Sequence, residues 1–256
     1  MELWEGALLG LLQGITEFLP VSSSGHLAIL QEVLRWEGPH VLFDVAVHMG
    51  TLMAILVVFR QAIKGILTGF LSEEGRKVAL IIVGSIPIGI SGLFLESRAE
   101  EIFSSGGVAG AMLSITGMML WSTRYVKRGD RGPEETGVWR AVTVGVFQAA
   151  AILPGISRSG ATISAALFLG LEREWAGEFS FLLAIPAIGG ATLFKARDFF
   201  TLPQSALGAF GAGIIVSALS GYLALKFLLG LIRRGKFYLF APYCWAVSAA
   251  YFLLLG

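Results

Sequence analysis

The chain is poor in charged residues and in cysteine. Charged side chains make up 14% of its 256 residues, against about 25% in an ordinary soluble domain. Apolar residues account for 55%, and the mean hydropathy is +0.75. The single cysteine, Cys244, excludes a framework of internal disulfides. The net charge of +1 gives no indication of nucleic-acid binding.

Long apolar stretches predict an all-α polytopic membrane protein. Six stretches approach the ~20 residues that a helix needs to cross a bilayer, and the sequence lacks the alternating strands of a membrane barrel. The predicted spans cover about 41–59, 78–95, 106–125, 178–194, 205–231 and 238–255. The first residues, MELWEGALLG, lack the positive charge of a cleaved signal peptide, so we expect them to stay in the mature protein.

Two further apolar regions, 3–35 and 138–171, are broken near the middle by Pro, Gly and a cluster of Ser. Each half is shorter than the ~20 residues of a span, so each region is predicted to be a re-entrant hairpin of two half-helices. The regions also resemble each other, because Trp, Gly and Gln recur with a shift of 135 positions. The recurring pairs are Trp4 with Trp139, Gly10 with Gly145, and Gln13 with Gln148.

This repetition predicts a single membrane domain over 1–256, built from repeat one (1–126), a charged linker (127–136) and repeat two (137–256). Each repeat has one hairpin and three spans. A re-entrant hairpin returns to the side of the membrane from which it entered, and three spans then leave the chain on the opposite side. The second repeat therefore starts from the opposite side and is expected to be inverted relative to the first. If each broken region were instead a pair of full-length helices, the number of membrane crossings in each repeat would still be odd. The expected inversion therefore does not by itself show that the hairpins are re-entrant.

Basic residues are unevenly distributed between the two predicted sides of the membrane. One side carries thirteen lysines and arginines and the other carries four. The positive-inside rule assigns the richer side to the cytoplasm. The first hairpin then enters from outside, the second enters from the cytoplasm, and both termini lie outside.

The first hairpin carries candidate catalytic groups. Gln13 and Glu17 share a helix face, and their oxygens suit Mg²⁺ or Ca²⁺ completed by phosphate and water. Pro20 ends the helix by disfavouring helical geometry at the residue before it. The serines that follow are good N-caps. Ser23 is a candidate nucleophile, and His26, one turn after Ser22, is a candidate general base or acid.

The second hairpin repeats this plan with Pro154 and Ser157. Two helix N-termini would then face each other near mid-membrane, and their free N–H groups and positive dipole ends suit a phosphate. Arg158 adds a charged donor fork for phosphate oxygens. Together the hairpins favour phosphoryl transfer, which needs mainly positioning and charge neutralisation. Asp44 and His48 also share a helix face, and for them a structural role is favoured over lining a cavity.

Two motifs resemble a known family. QGITEFLPVSSSGH resembles the (E/Q)-x-x-x-E motif, with its following Ser and His, of undecaprenyl-diphosphate phosphatases of the bacitracin-resistance type. PGISRSGAT resembles that family's P-G-x-S-R-S-x-x-T motif, and the resemblance extends over essentially the whole chain. It implies an enzyme of the bacterial inner (plasma) membrane, open to the outer face, that hydrolyses undecaprenyl diphosphate to the monophosphate and inorganic phosphate. Such enzymes recycle the lipid carrier of peptidoglycan synthesis and confer bacitracin resistance.

The resemblance also implies roles for individual residues. Glu17, Ser23, His26 and Arg158 match the family's catalytic positions. A divalent cation, Mg²⁺ or Ca²⁺, is implied at Glu17 and Gln13, and Gln in place of Glu at position 13 leaves Glu17 as the stronger ligand. The positions expected to bind the diphosphate are Ser22, Ser24, Ser157, Ser159 and Thr162. No role carries over to His48, which stands where a neutral polar residue is expected.

Other functions compete with this interpretation. Phosphatases of the PAP2 type need a His six positions after the arginine, but here that position is Ser164, and no His follows Arg158.

Inverted repeats with broken helices are also typical of secondary transporters, so a transporter or lipid flippase is the alternative. The sequence leaves both a monomer and a homodimer open; the expected partners are a polyprenyl diphosphate and the bilayer.

Overall fold

The computed structural model describes residues 2–33, 40–68, 73–95 and 106–254. Within these ranges the regular structure is α-helical, apart from short 3₁₀ turns and one isolated β-bridge between Arg131 and Leu171. The helices of the first half are α1 (Leu3–Phe18), α2 (Ser23–Val33), α3 (His40–Val58), α4 (Arg60–Thr68), α5 (Glu73–Leu95) and α6 (Gly106–Ser122). Those of the second half are α7 (Val138–Ala150), α8 (Arg158–Phe168), α9 (Arg173–Phe194), α10 (Gln204–Arg233) and α11 (Ala241–Leu254).

Four of the described helices are long and apolar enough to cross a membrane: Val41–Val58, Gly75–Phe94, Arg173–Phe194 and Gln204–Arg233. The other two predicted spans coincide with α6, of 17 residues, and α11, of 14 residues. Both are shorter than the ~20 residues of a straight span. The short helix α4 lies between two of the predicted spans and carries the basic residues Arg60 and Lys64.

The two predicted breaks are confirmed. Helix α1 ends at Phe18, and Leu19 is extended, with φ −61° and ψ 139°, as expected before a proline. In the second hairpin, Ser157 is the N-cap of α8, and its Oγ accepts a hydrogen bond from the backbone N–H of Gly160 at 3.1 Å. All four half-helices are short, at 16, 11, 13 and 11 residues.

Each hairpin packs against a long helix from the other half of the chain. Helix α1 lies along α10, and α7 lies along α5. Glycines allow both approaches: a Cβ on Gly10 would lie 2.4 Å from the carbonyl oxygen of Gly213, and one on Gly145 would lie 2.2 Å from that of Gly84. Small residues at such positions are typical of tightly packed membrane helices. Gly10 and Gly145 are the glycines that the sequence repeat relates.

Aromatic residues of α9 contact the first hairpin and the linker. Phe181 is fully buried and packs edge-on against Phe18 of α1, with ring centroids 5.6 Å apart. The linker is fastened to the same helix, because Trp175 Nε1 donates to Thr136 Oγ1 at 2.9 Å. The packing of α9 therefore fixes the end of α1, where the acidic group of the first hairpin lies.

Candidate active site

The tips of the two hairpins meet inside the helix bundle. Ser22 Oγ accepts a hydrogen bond from the backbone N–H of Gly155 at 3.2 Å. Nearby, Arg158 Nη2 donates to Glu17 Oε1 at 2.5 Å. These two contacts join residues that are more than 130 positions apart in the sequence. The hairpins that the sequence related to each other thus form one polar cluster.

Glu17 is the centre of this cluster. Its side chain lies in the last turn of α1 and is almost completely buried. While Oε1 faces Arg158, Oε2 lies 2.7 Å from Ser23 Oγ, 3.0 Å from Gln13 Nε2 and 3.2 Å from His48 Nε2. A carboxylate in an apolar bundle needs such donors, because burying an unpaired charge is costly.

Ser23 is the first residue of α2, and its hydroxyl donates to Glu17 Oε2 at 2.7 Å. A hydroxyl that donates to a carboxylate is in the arrangement of a nucleophile beside its general base. The base candidate that the structure brings to Ser23 is therefore Glu17. His26 lies one turn after Ser22, as predicted, but its ring bonds the backbone of Ser22.

His26 faces away from the cluster, toward the last helix of the chain. Its Nδ1 lies 2.9 Å from the backbone oxygen of Ser22, and its Nε2 lies 2.8 Å from the hydroxyl of Tyr243 in α11. Both ring nitrogens are therefore engaged. The catalytic role predicted for His26 remains a prediction in this geometry.

The remaining serines and the threonine of the two motifs lie near the meeting point with protein partners of their own. Ser22 and Ser24 Oγ are 3.4 Å apart, and Ser157 and Ser159 Oγ are 3.2 Å apart. Thr162 points to α9, where its Oγ1 lies 2.5 Å from Ser180 Oγ. A phosphate role for these hydroxyls remains a prediction.

Thr116 of α6 holds the second hairpin in place and was missed by sequence reasoning. Its fully buried hydroxyl donates to the carbonyl oxygen of Gly155 at 2.9 Å and accepts from the backbone N–H of Ser157 at 3.1 Å. Gly155 has a φ of +91°, which favours glycine. The two bonds fix the turn directly before Arg158, so they set where α8 begins.

His48 was also underestimated from the sequence. A structural role beside Asp44 was expected. Its Nδ1 does lie 2.7 Å from Asp44, but from the backbone oxygen of that residue. The other ring nitrogen reaches the Glu17 carboxylate, so His48 belongs to the candidate site. The sequence contained a signal, since a His at membrane depth is by default a functional candidate; what it lacked was the rotation of α3 relative to α1.

The predicted cation can be tested against these donors. Among the described residues, no group of three or more His, Cys, Asp and Glu side chains is placed to hold a metal ion. Magnesium, however, commonly uses one or two protein oxygens together with substrate phosphates and water. Glu17 offers a carboxylate, and the buried Oε1 of Gln13 has no hydrogen-bond partner. The residues therefore fit a cation held largely by substrate oxygens.

Comparison with known proteins gives consistent matches over nearly the full length. The family described as bacitracin resistance protein BacA matches residues 6–250. A protein of Desulfatibacillum aliphaticivorans named undecaprenyl-diphosphatase is 46% identical over 266 residues, covering 96% of this chain and 96% of its own. A protein of the same name from Carboxydothermus hydrogenoformans is 43% identical over 258 residues, covering 99% of this chain and 98% of its own.

These matches agree with the apolar helices and with both sequence motifs. The chain is a multi-pass membrane protein with several apolar helices. The motif residues Glu17 and Arg158, which carried the resemblance, are the two that form the central ion pair. The chain therefore belongs to the bacitracin resistance protein BacA family.

Proposed function

We propose that this protein is an integral membrane phosphatase that hydrolyses undecaprenyl diphosphate to undecaprenyl phosphate and inorganic phosphate. The names of its relatives support this activity. The observation that carries it is the Glu17 carboxylate held between Ser23 Oγ and Arg158 at the ends of two helical hairpins. In the cell, the reaction returns the lipid carrier to peptidoglycan synthesis, and it would confer resistance to bacitracin.

In the proposed first step, Ser23 Oγ attacks the terminal phosphorus. Its proton moves to Glu17 Oε2, which already accepts a hydrogen bond from the Ser23 hydroxyl at 2.7 Å. The bond from the terminal phosphorus to the bridging oxygen breaks, and undecaprenyl phosphate leaves with that electron pair. A phosphoserine results. In the second step, water attacks the same phosphorus and the bond from phosphorus to Ser23 Oγ breaks. The proton held by Glu17 returns to Oγ, which regenerates Ser23, and the oxygen and both protons of the water leave with inorganic phosphate.

The positive groups of the site bind and neutralise the phosphoryl oxygens. Arg158 is the first residue of α8, so its guanidinium is carried by the helix end whose N–H groups lack intrahelical partners. Ser23 occupies the same position in α2. Since phosphoryl transfer relies on positioning and charge neutralisation, binding of a phosphate between the two helix ends would draw Arg158 partly away from Glu17.

A divalent cation, Mg²⁺ or Ca²⁺, would be held by Glu17 and the amide oxygen of Gln13. When bound, it would neutralise charge on the diphosphate oxygens. Gln13 would also keep the carboxylate of Glu17 in place through its amide nitrogen, 3.0 Å away. Removal of the cation by a chelator should therefore lower phosphate release without unfolding the protein.

The covalent step is tested at Ser23. Rapid acid quenching of protein mixed with polyprenyl diphosphate, followed by peptide mass spectrometry, should reveal phosphoserine at position 23. Ser23→Ala should lower kcat by at least about 10². If Ser23→Ala works at a near-normal rate, a directly attacking water replaces the serine as nucleophile.

The activity itself is tested with purified protein in detergent. Phosphate should be released from undecaprenyl diphosphate in the absence of any membrane gradient. Glu17→Ala and Arg158→Ala, each checked for correct folding, should abolish the release. A protein that moves the lipid across liposome membranes but never cleaves it would instead be a transporter or flippase.

We also propose that the chain is arranged as two inverted repeats with six membrane spans and two re-entrant hairpins. The reciprocal packing of α1 on α10 and of α7 on α5 supports this arrangement, as does the excess of basic residues on one side. Lys127 and Arg197 are exposed and test it. A membrane-impermeant thiol reagent should label Arg197→Cys in intact cells, but Lys127→Cys only after permeabilisation. The reverse result would place the active site and both termini on the cytoplasmic side.

A further inference from the structure

The hydrogen bonds of His26 define which of its nitrogens carries a proton. A backbone carbonyl oxygen can only accept, so the Nδ1 that lies 2.9 Å from Ser22 O must be the protonated one. In the neutral ring Nε2 then has a free lone pair, and the hydroxyl of Tyr243 donates to it at 2.8 Å. Helix α11 is thereby connected to the first turn of α2 through an imidazole ring.

The backbone that His26 contacts is unusual. Ser22 has a φ of +66° and is the only non-glycine residue with positive φ in the described ranges. This conformation costs a serine about 1 kcal/mol or more and persists only where neighbours hold it. Three hydrogen bonds do so here: the Gly155 N–H binds the side chain of Ser22, and the carbonyl oxygen of Ser22 accepts from His26 Nδ1–H and, at 3.3 Å, from the His26 backbone N–H.

The conformation of Ser22 matters because Ser23 follows it directly. Ser22 determines where α2 begins and in which direction its first side chain points. The hydroxyl of Ser23 lies 2.7 Å from Glu17 Oε2, and a change of a few tenths of an ångström at Ser22 would weaken that bond. His26 itself has its two ring nitrogens on Ser22 and Tyr243, so its contact with the reacting groups is indirect.

We propose that Tyr243 and His26 are positioning residues that hold Ser22 in its positive-φ conformation and thereby direct Ser23 toward Glu17. We call this hydrogen-bonded chain, Tyr243 to His26 to Ser22, the Tyr243–His26 bridge. The inference rests on the proposed function and deepens it. It assigns a role to Tyr243, which neither motif includes, and it gives His26 a role other than proton transfer to substrate.

Two substitutions of His26 separate positioning from proton transfer. The amide nitrogen of Asn lies close to the position of Nδ1, so His26→Asn can still donate to Ser22 O. The amide of Gln reaches the position of Nε2, so His26→Gln keeps the reach toward Tyr243 but loses the donor to Ser22. The bridge predicts that His26→Asn retains clearly more kcat than His26→Gln. Equal losses of about 10² to 10⁴ in both variants would instead indicate a general acid or base and overturn the proposal.

Tyr243→Phe removes only the hydroxyl at the far end of the bridge. Its loss should lower kcat by about tenfold, as expected for one hydrogen bond that orients a reacting group, with little change in KM. The same substitution made in His26→Asn should have no further effect, because the bridge is already broken. Tyr251→Phe, on the same helix with its ring against Phe252, is the matched control and should behave like wild type. Wild-type kcat in Tyr243→Phe would contradict the positioning role.

A spectroscopic measurement tests the bridge without relying on activity. The chain has three histidines, so ¹⁵N-histidine labelling gives a simple imidazole spectrum, and His26→Asn identifies the signals of His26. The wild-type ring should show a protonated Nδ1 and a hydrogen-bonded, unprotonated Nε2. Tyr243→Phe should shift the Nε2 signal alone. An unchanged signal overturns the bridge, whereas wild-type protein that releases no phosphate overturns the proposed function, so the two failures are distinguishable.

Discussion

Replacing Glu17 by Gln tests the centre of the site, because it removes one charge and keeps the shape of the side chain. The carboxylate accepts from Ser23 and Arg158 and lies within 3.2 Å of the His48 ring. An amide cannot take the proton of Ser23, so phosphate release should fall by about 10² to 10⁴. The assay is release of inorganic phosphate from undecaprenyl diphosphate by purified protein in detergent.

The same substitution should also lower stability. The ion pair is largely buried, with side-chain exposures of 18% for Arg158 and 5% for Glu17. Removing one partner of such a pair costs about 3–5 kcal/mol, because the other charge is left buried and unpaired. For a chain of this size this corresponds to a fall in Tm of roughly 6–20 °C. Thermal unfolding in detergent measures it, with the exposed Glu134→Gln as the control.

A double variant separates stability from catalysis. Glu17→Gln combined with Arg158→Gln removes both charges, so no unpaired ion remains in the bundle, and much of the lost stability should return. Activity should not return, since both the proton acceptor and the phosphate-binding cation are missing. Two results would refute this reasoning: Glu17→Gln with more than half of the wild-type rate, or a double variant that is less stable than either single one.

Two further substitutions test the surroundings of the site. Thr116→Val removes the hydroxyl that binds both Gly155 O and Ser157 N. We therefore expect a loss of about 1–3 kcal/mol in stability and a lower kcat, with Thr116→Ser as the conservative control. Equal kcat in the Val and Ser variants would contradict a role in fixing the turn before Arg158. Gly145→Leu places a side chain where a Cβ already lies 2.2 Å from the carbonyl oxygen of Gly84, so the folded yield in detergent should collapse, whereas a normal yield would contradict the close packing of α7 on α5.

The hairpins could be predicted because their determinants are local. Pro20 restricts the residue before it, and Ser157 caps the helix that follows the second break. The recurrence of Trp, Gly and Gln then related the two hairpins without any three-dimensional information. The central pair of Glu17 and Arg158 came from the motifs, and the structure brings these residues into direct contact.

The remaining parts of the site depend on packing between distant segments. Tyr243 is 217 positions from His26, and Thr116 is 39 from Gly155, so neither contact has a periodicity or spacing that a sequence displays. His48 was visible as a polar residue in an apolar helix, but the rotation of α3 decides whether it faces Asp44, lipid or Glu17.

The packing of α1 on α10 has a consequence for how the protein is made. Helix α1 leaves the ribosome some two hundred residues before Gly213, the residue against which its Gly10 packs. Until then the glycine face of α1 lacks this partner, and contacts between such distant segments form slowly. A chain that stops before α10 therefore carries the catalytic motif of the first hairpin and still lacks the surface that holds it. The first hairpin is therefore fully supported only after α10 has been inserted.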